Sequence, residues 1–202
     1  MQILKETEKN IRTIGEHIKH NFAVIPTDTL YALSISIYSE NAAKIYNLKK
    51  RDEKAPVPIA VNSLEMMYEL VEVPDKALKI INNAPPGSIT LVLKNKSVPK
   101  YLVSDTAGIR IPNSKVVAKL IEIAGPITIT SANLHKGKAP NSLSIAIEEL
   151  KGMVEMFLDG GILPGIPSTV IKVTENNIEL IREGIFPWKK IINIVGESKN
   201  YE

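Results

Sequence analysis

The sequence predicts an α/β fold built round a mixed sheet, and three observations predict it. Short apolar runs rich in Ile and Val alternate with stretches of helical periodicity along the whole chain. Pro26, Pro58 and Pro112 stand beside or inside apolar runs, which suits strand ends, edges and bends and does not suit a regular parallel barrel. The length of 202 residues, with 44% hydrophobic content, allows a sizeable core and predicts a single domain over residues 1 to 202.

Taken in order, residues 3 to 19 space Ile3, Ile11, Ile14 and Ile18 among charged residues and predict an amphipathic helix. Phe22-Ala23-Val24-Ile25-Pro26 reads as a short buried strand running into the polar turn Thr27-Asp28-Thr29, and residues 30 to 37 alternate like a half-buried strand. Residues 40 to 50 suit a helix that ends on Lys49-Lys50-Arg51. A strand follows over residues 57 to 61 and one or two helices over residues 63 to 84. Strands are predicted at residues 89 to 93, 108 to 111 and 127 to 130, with a helix at 114 to 124. After a helix at 142 to 151, Met156-Phe157-Leu158 leads into the turn-rich Asp159-Gly160-Gly161. Strands at 169 to 173 and 178 to 182 and a short helix at 188 to 195 close the chain.

Composition excludes several kinds of chemistry. No cysteine means no disulfide, thiolate nucleophile or thiolate metal site. Neither a secretory apolar core nor a run approaching the ~20 apolar residues of a membrane span is present, so a soluble cytoplasmic protein is expected. The formal charge of +3 is too small to mark a nucleic-acid binder unless the cations cluster. GxxxxGK[ST], GxGxxG and HExxH patterns are missing, and the three histidines offer no ligand spacing beyond one pair on a surface helix. No dedicated metal site is expected, and Mg2+ would arrive with nucleotide phosphates.

Polar residues recur at strand ends, where α/β folds build sites: Thr27, Asp28 and Thr29, then Ser131 and Asn133, then Ser168 and Thr169. Taken singly, each cluster is explained as well by helix caps and turns. Lys49 and Arg51 combine an ammonium and a guanidinium in a pair suited to a triphosphate, or equally form a solvated helix C-terminus. Arg110 lies inside an apolar strand, where its charge needs a carboxylate or a ligand unless it faces outward from an edge. Arg182 repeats that pattern beside Glu183.

In chain order, Pro26-Thr27-Asp28-Thr29-Leu30-Tyr31, Lys49-Lys50-Arg51, Pro86-Gly87-Ser88-Ile89-Thr90, Arg110-Ile111-Pro112, Ser131-Ala132-Asn133 and Ser168-Thr169-Val170 resemble the YrdC-type threonylcarbamoyl-AMP synthases in their short form. The resemblance implies a twisted mixed sheet with flanking helices and a large, positively charged concave cleft. It implies synthesis of threonylcarbamoyl adenylate and pyrophosphate from L-threonine, bicarbonate and ATP, supplying N6-threonylcarbamoyladenosine at position 37 of tRNA through a complex with a Kae-type transferase. By position, Thr29, Arg110 and Ser168 would lie at the threonine, and Arg51, Thr106, Ser131 and Arg182 at ATP. Lys49, Arg51, Ser131 and Asn133 would form the catalytic K-x-R and S-x-N pair. The chain departs from the pattern at Ala32-Leu33-Ser34, Asp52, Ala60 or Asn62, and Pro167. Alternative readings are an RNA-binding protein, supported by Lys94-Asn95-Lys96 and Lys136-Gly137-Lys138, and a sister enzyme that makes another carbamoyl adenylate, as in hydrogenase maturation.

Overall fold

A computed structural model describes residues 1–50, 57–134 and 137–196. The strands divide between two mixed sheets. The first orders β1 (Gln2–Lys5), β9 (Met156–Asp159), β2 (Ala23–Pro26), β3 (Tyr31–Ser34) and β8 (Thr130–Ser131). The second orders β11 (Ile178–Arg182), β10 (Thr169–Val173), β5 (Ile89–Lys94), β6 (Thr106–Arg110), β4 (Ile59–Ala60) and β7 (Ile127–Thr128).

Ile129 is the corner between them. Thr128 pairs with Ile59 in the second sheet and Thr130 with Leu33 in the first, while the Ile129 amide donates to the Pro58 carbonyl at 2.8 Å. The Thr128 hydroxyl ties the corner to β3 by accepting the Ile35 amide at 3.1 Å. What reads as one strand at 127 to 130 is therefore two, with the bend supplied by a change of sheet.

The seven α-helices among the described residues are α1 (Glu8–His17), α2 (Ile45–Lys49), α3 (Leu64–Leu70), α4 (Asp75–Asn83), α5 (Lys115–Ala124), α6 (Leu143–Leu150) and α7 (Trp188–Val195). Thr7, Ser63 and Ser114 cap α1, α3 and α5 by accepting amides three residues on, satisfying donors that the first turn leaves unpaired. Gly125, at φ 73°, closes α5 in a conformation that disfavours side chains. Ile11 and Ile14 of α1 bury with Val116, Val117, Leu120 and Ile121 of α5 in one core, against β2. A larger core gathers Leu33, Ile59, Leu91, Ile109, Phe157 and Ile171. No described helix is long and apolar enough to cross a membrane.

Two further local expectations change. Residues 3 to 19 are a strand followed by a helix, because Gln2–Lys5 finds a parallel partner in β9 far along the chain. Residues 30 to 37 are buried on both faces rather than alternately, since helices and the second sheet cover what a single exposed sheet would leave wet. That burial leaves the Ser34 hydroxyl without a partner among the described residues, a cost of about 1–3 kcal/mol. Ser34→Ala is accordingly expected to raise stability by about 1 kcal/mol in urea unfolding, whereas a loss of that size would mean the hydroxyl is bonded.

Candidate active site

The two sheets enclose a cleft of about 580 Å³. The first sheet contributes Thr29 from the turn after β2, Tyr31 and Ala32 from β3, and Ser131 from β8. The second contributes Thr90 of β5, Gly108 and Arg110 of β6, Val170 of β10 with Ser168 just before it, and Ile181 and Arg182 of β11. Two arginines and no acidic residue stand among its described lining. Strand ends from distant parts of the chain thus converge on one concavity, the usual place for a site in an α/β fold.

At one end Arg110 is only 5% exposed. Its Nε donates to the Gly87 carbonyl at 2.9 Å, Nη1 to Thr29 Oγ1 at 3.2 Å and Nη2 to Asp28 Oδ1 at 2.9 Å. Burial pulls the guanidinium pKa down and the Asp28 charge opposes that pull; the nearby Arg182 charge adds to the lowering. The edge-exposed reading of Arg110 is therefore excluded. The Thr29 hydroxyl is fixed in turn by Thr27, whose Oγ1 lies 3.2 Å from it, accepts the Thr29 and Leu30 amides and donates to the Leu30 carbonyl at 2.7 Å. Beside this end the buried hydroxyls of Ser168 and Thr90 share a 2.7 Å hydrogen bond, and Arg182 Nη2 donates to the Ser168 carbonyl at 2.9 Å.

At the other end the K-x-R and S-x-N segments meet. Lys49, the last residue of α2, is 5% exposed and not the solvated cap that its position allows. Its Nζ donates to the Ser131 carbonyl, to Ser131 Oγ at 3.4 Å and to Asn133 Oδ1 at 3.3 Å. Ser131 Oγ donates to the same Asn133 oxygen at 2.7 Å, and the Asn133 amide nitrogen donates to the Gly137 and Lys138 carbonyls. Lys50 ends α2 in the left-handed region at φ 49°. Arg51, expected to act with Lys49, lies outside the described residues.

Seven predicted site residues therefore gather here: Thr29, Arg110, Ser131, Asn133, Ser168 and Arg182 line the cleft, and Lys49 braces Ser131 and Asn133 from behind it. Thr106 is not brought to the cleft lining; it begins β6, four residues and about 13 Å along the strand from Arg110. Three contributors carry no predicted role. Asp28 holds Arg110, Thr90 holds Ser168, and the buried Tyr31 hydroxyl donates to the Gly161 carbonyl at 2.8 Å and accepts the Gly160 amide at 3.0 Å, pinning the segment that leads to Ser168. The only signal for Asp28 is its place between two threonines in a strand-end turn. Among the described residues no group of three or more His, Asp or Glu comes together as metal ligands.

A family model named for Sua5, YciO and YrdC, and described as telomere recombination, matches residues 19–184. The chain belongs to this Sua5/YciO/YrdC family. A Methanocaldococcus jannaschii relative, provisionally named threonylcarbamoyl-AMP synthase, is 34% identical over 191 residues, covering 93% of this chain and 91% of that protein. A Pyrococcus abyssi protein named threonylcarbamoyl-AMP synthase is 36% identical over 95% of this chain, which spans only 59% of that longer protein. The structure of P. abyssi Sua5 complexed with L-threonine superposes with a TM-score of 0.89 at 33% identity, over 96% of this chain and 60% of that one. Escherichia coli YciO superposes with a TM-score of 0.86 at 26% identity, over 94% and 98% of the two chains. The fold is the family's.

Proposed function

We propose that this chain is a threonylcarbamoyl-AMP synthase that joins L-threonine, bicarbonate and ATP into L-threonylcarbamoyladenylate with release of pyrophosphate. The observation that carries the proposal is Arg110, a buried guanidinium aimed into a cleft with hydroxyls on either side, in a chain 33% identical to a Sua5 whose structure contains L-threonine. Arg110 offers five N–H groups, and the described partners take three. The remaining two suit the α-carboxylate of an amino acid. Thr29, Ser168 and Thr90 supply hydroxyls for its polar remainder.

The threonine amine takes up bicarbonate with loss of water to form a carbamate. A carbamate oxygen then attacks the α-phosphorus of ATP and pyrophosphate departs. One P–O bond forms as another breaks, with no redox change and no protein nucleophile, so the protein's part is to align two anions that repel one another. Lys49, Ser131 and Asn133 form the nucleotide end, where cations and amides offset charge on the phosphates; Arg51 is assigned to that task by its motif alone, and Arg182, held on the Ser168 carbonyl, would meet the phosphates from the threonine side. Mg2+ bound to the phosphates would share that task. The adenylate would then serve threonylcarbamoylation of tRNA through a Kae-type partner.

The RNA-binding reading is less favoured: Lys94 pairs with Glu72 at 2.9 Å and Lys96 donates to the Tyr68 carbonyl at 3.1 Å, while Lys136 of the second lysine group lies outside the described residues. Incubation with ATP, Mg2+ and bicarbonate is expected to release pyrophosphate only when L-threonine is added, with the adenylate detected by mass spectrometry. Release independent of threonine, or none, would sink the proposal. Within the same assay Lys49→Met is expected to lower kcat/KM for ATP about tenfold or more, as loss of charged hydrogen bonds worth about 1.5–3 kcal/mol requires. The KM for threonine, set at the opposite end of the cleft, should stay within about twofold.

A further inference from the structure

Asp28 is absent from the cleft lining although Thr27 and Thr29 on either side of it are there. Its carboxylate turns behind the cleft, 14% exposed, and ties the turn after β2 to the end of β6 and the residues that follow it. Oδ1 accepts Arg110 Nη2 at 2.9 Å and Oδ2 accepts the Asn113 backbone amide at 3.0 Å. Gly87 completes the frame with its carbonyl on Arg110 Nε. There is no room between these groups: a Cβ on Gly87 would stand 1.9 Å from Asp28 Oδ2 and 2.8 Å from the Asn113 nitrogen. The turn after β2 belongs to the first sheet, while Gly87 and Asn113 flank β5 and β6 of the second. Asp28 therefore sets where Arg110 stands relative to Thr29 across the cleft.

The manner of pairing ties the arginine to the backbone as well as neutralising it. Arginine–carboxylate pairs are frequently bidentate, with both carboxylate oxygens on two parallel N–H groups of one guanidinium edge. Asp28 instead spends one oxygen on Arg110 and anchors the other on the backbone. Among the described residues, one N–H of Nη1 and one of Nη2 are left without a partner, held in a fixed orientation by the three bonds already made. An arginine so constrained has lost its rotamer freedom before the ligand arrives.

We propose that Asp28 is a positioning residue for threonine, acting through Arg110: it holds the guanidinium so that two N–H groups face the substrate carboxylate in a fixed orientation. The inference rests on the reading of Arg110 as the carboxylate-binding group. Steady-state kinetics of the full chain with threonine and ATP varied in turn, for Asp28→Asn, Arg110→Lys and the double variant, separate the possibilities.

Asp28→Asn is expected to raise the threonine KM about tenfold, leaving the ATP KM within about twofold and kcat at saturating threonine largely retained. In the Arg110→Lys background the same change should add less than about twofold, because a residue that acts through another has nothing left to act on. Equal losses in both backgrounds, or a parallel rise in both KM values with a lower thermal midpoint, would reduce Asp28 to a structural ion pair and overturn the proposal. If Arg110→Lys raises the threonine KM and Asp28→Asn does not, this inference alone falls. An Arg110→Lys enzyme with unchanged threonine KM would remove the carboxylate reading and this proposal with it. Should Asp28→Asn not fold, Asp28→Ser, which removes the charge and one acceptor in less volume, takes its place with the same expectations.

Discussion

Arg110→Ala is expected to abolish measurable L-threonine binding and to lower stability by about 3 kcal/mol, the lower end of the range for breaking a buried pair. The substitution removes three hydrogen bonds and strands the Asp28 carboxylate, which is only 14% exposed and keeps just the Asn113 amide. Its slight exposure lets water offset part of the loss, which sets the figure at the lower end. The two effects separate in a double variant. Arg110→Met with Asp28→Asn removes both charges and keeps much of the volume, so urea unfolding should recover most of the stability while calorimetric titration with threonine still shows no binding. Recovery of binding with stability would mean that Arg110 serves the fold alone.

Gly87→Ala should come next in severity. Gly87 has φ 76°, a region where a side chain costs about 1–2 kcal/mol, and the added methyl would meet Asp28 Oδ2 at 1.9 Å. The turn must open or Asp28 must leave Arg110, so threonine affinity is expected to fall about tenfold or more alongside the thermal midpoint. Gly108 provides the contrast. It lines the cleft on β6, yet an added Cβ meets only Pro58 Cα at 3.6 Å and Thr90 Cγ2 at 3.7 Å, ordinary contacts. Gly108→Ala should therefore fold with a thermal midpoint within a few degrees of the parent, about a 0.5 kcal/mol effect. Equal damage from both glycines would remove the close approach of Gly87 to Asp28 as the cause.

The elements legible in the sequence are those whose signal is local. The helix over residues 114 to 124 has its Ser114 cap, a continuous apolar stripe and Gly125 at its end, and α5 occupies Lys115–Ala124. β1 was hidden, because Gln2–Lys5 becomes a strand only through β9, more than 150 residues away. Likewise Ile129 has no local mark of a corner; it becomes one because Thr128 and Thr130 find partners in different sheets.

The same distinction holds in the site. Lys49, Ser131 and Asn133 could be nominated from short motifs, but the sequence left the lysine between solvent and phosphate. Its burial against Ser131 and Asn133, contacts separated by 82 and 84 residues, decides against solvent. Asp28 was visible as a turn residue and no more. Its role depends on Arg110, 82 residues on, and on Asn113, 85 residues on. The departures at Ala32 and Ser34 resolve differently from one another: Ala32 lines the cleft, while Ser34 is sealed in the core with its hydroxyl unpaired among the described residues.

The division of the cleft into a carboxylate end at Arg110 and a phosphate end at Lys49 is tested most directly by a crystal structure of the protein soaked with L-threonine. The threonine carboxylate is expected within hydrogen-bond distance of Arg110 Nη1 and Nη2, with its polar remainder facing Thr29, Thr90 and Ser168 and the Asp28 to Arg110 contact intact. Threonine seated against Lys49, Ser131 and Asn133 instead, or an Arg110 guanidinium that turns away from it, would contradict the account.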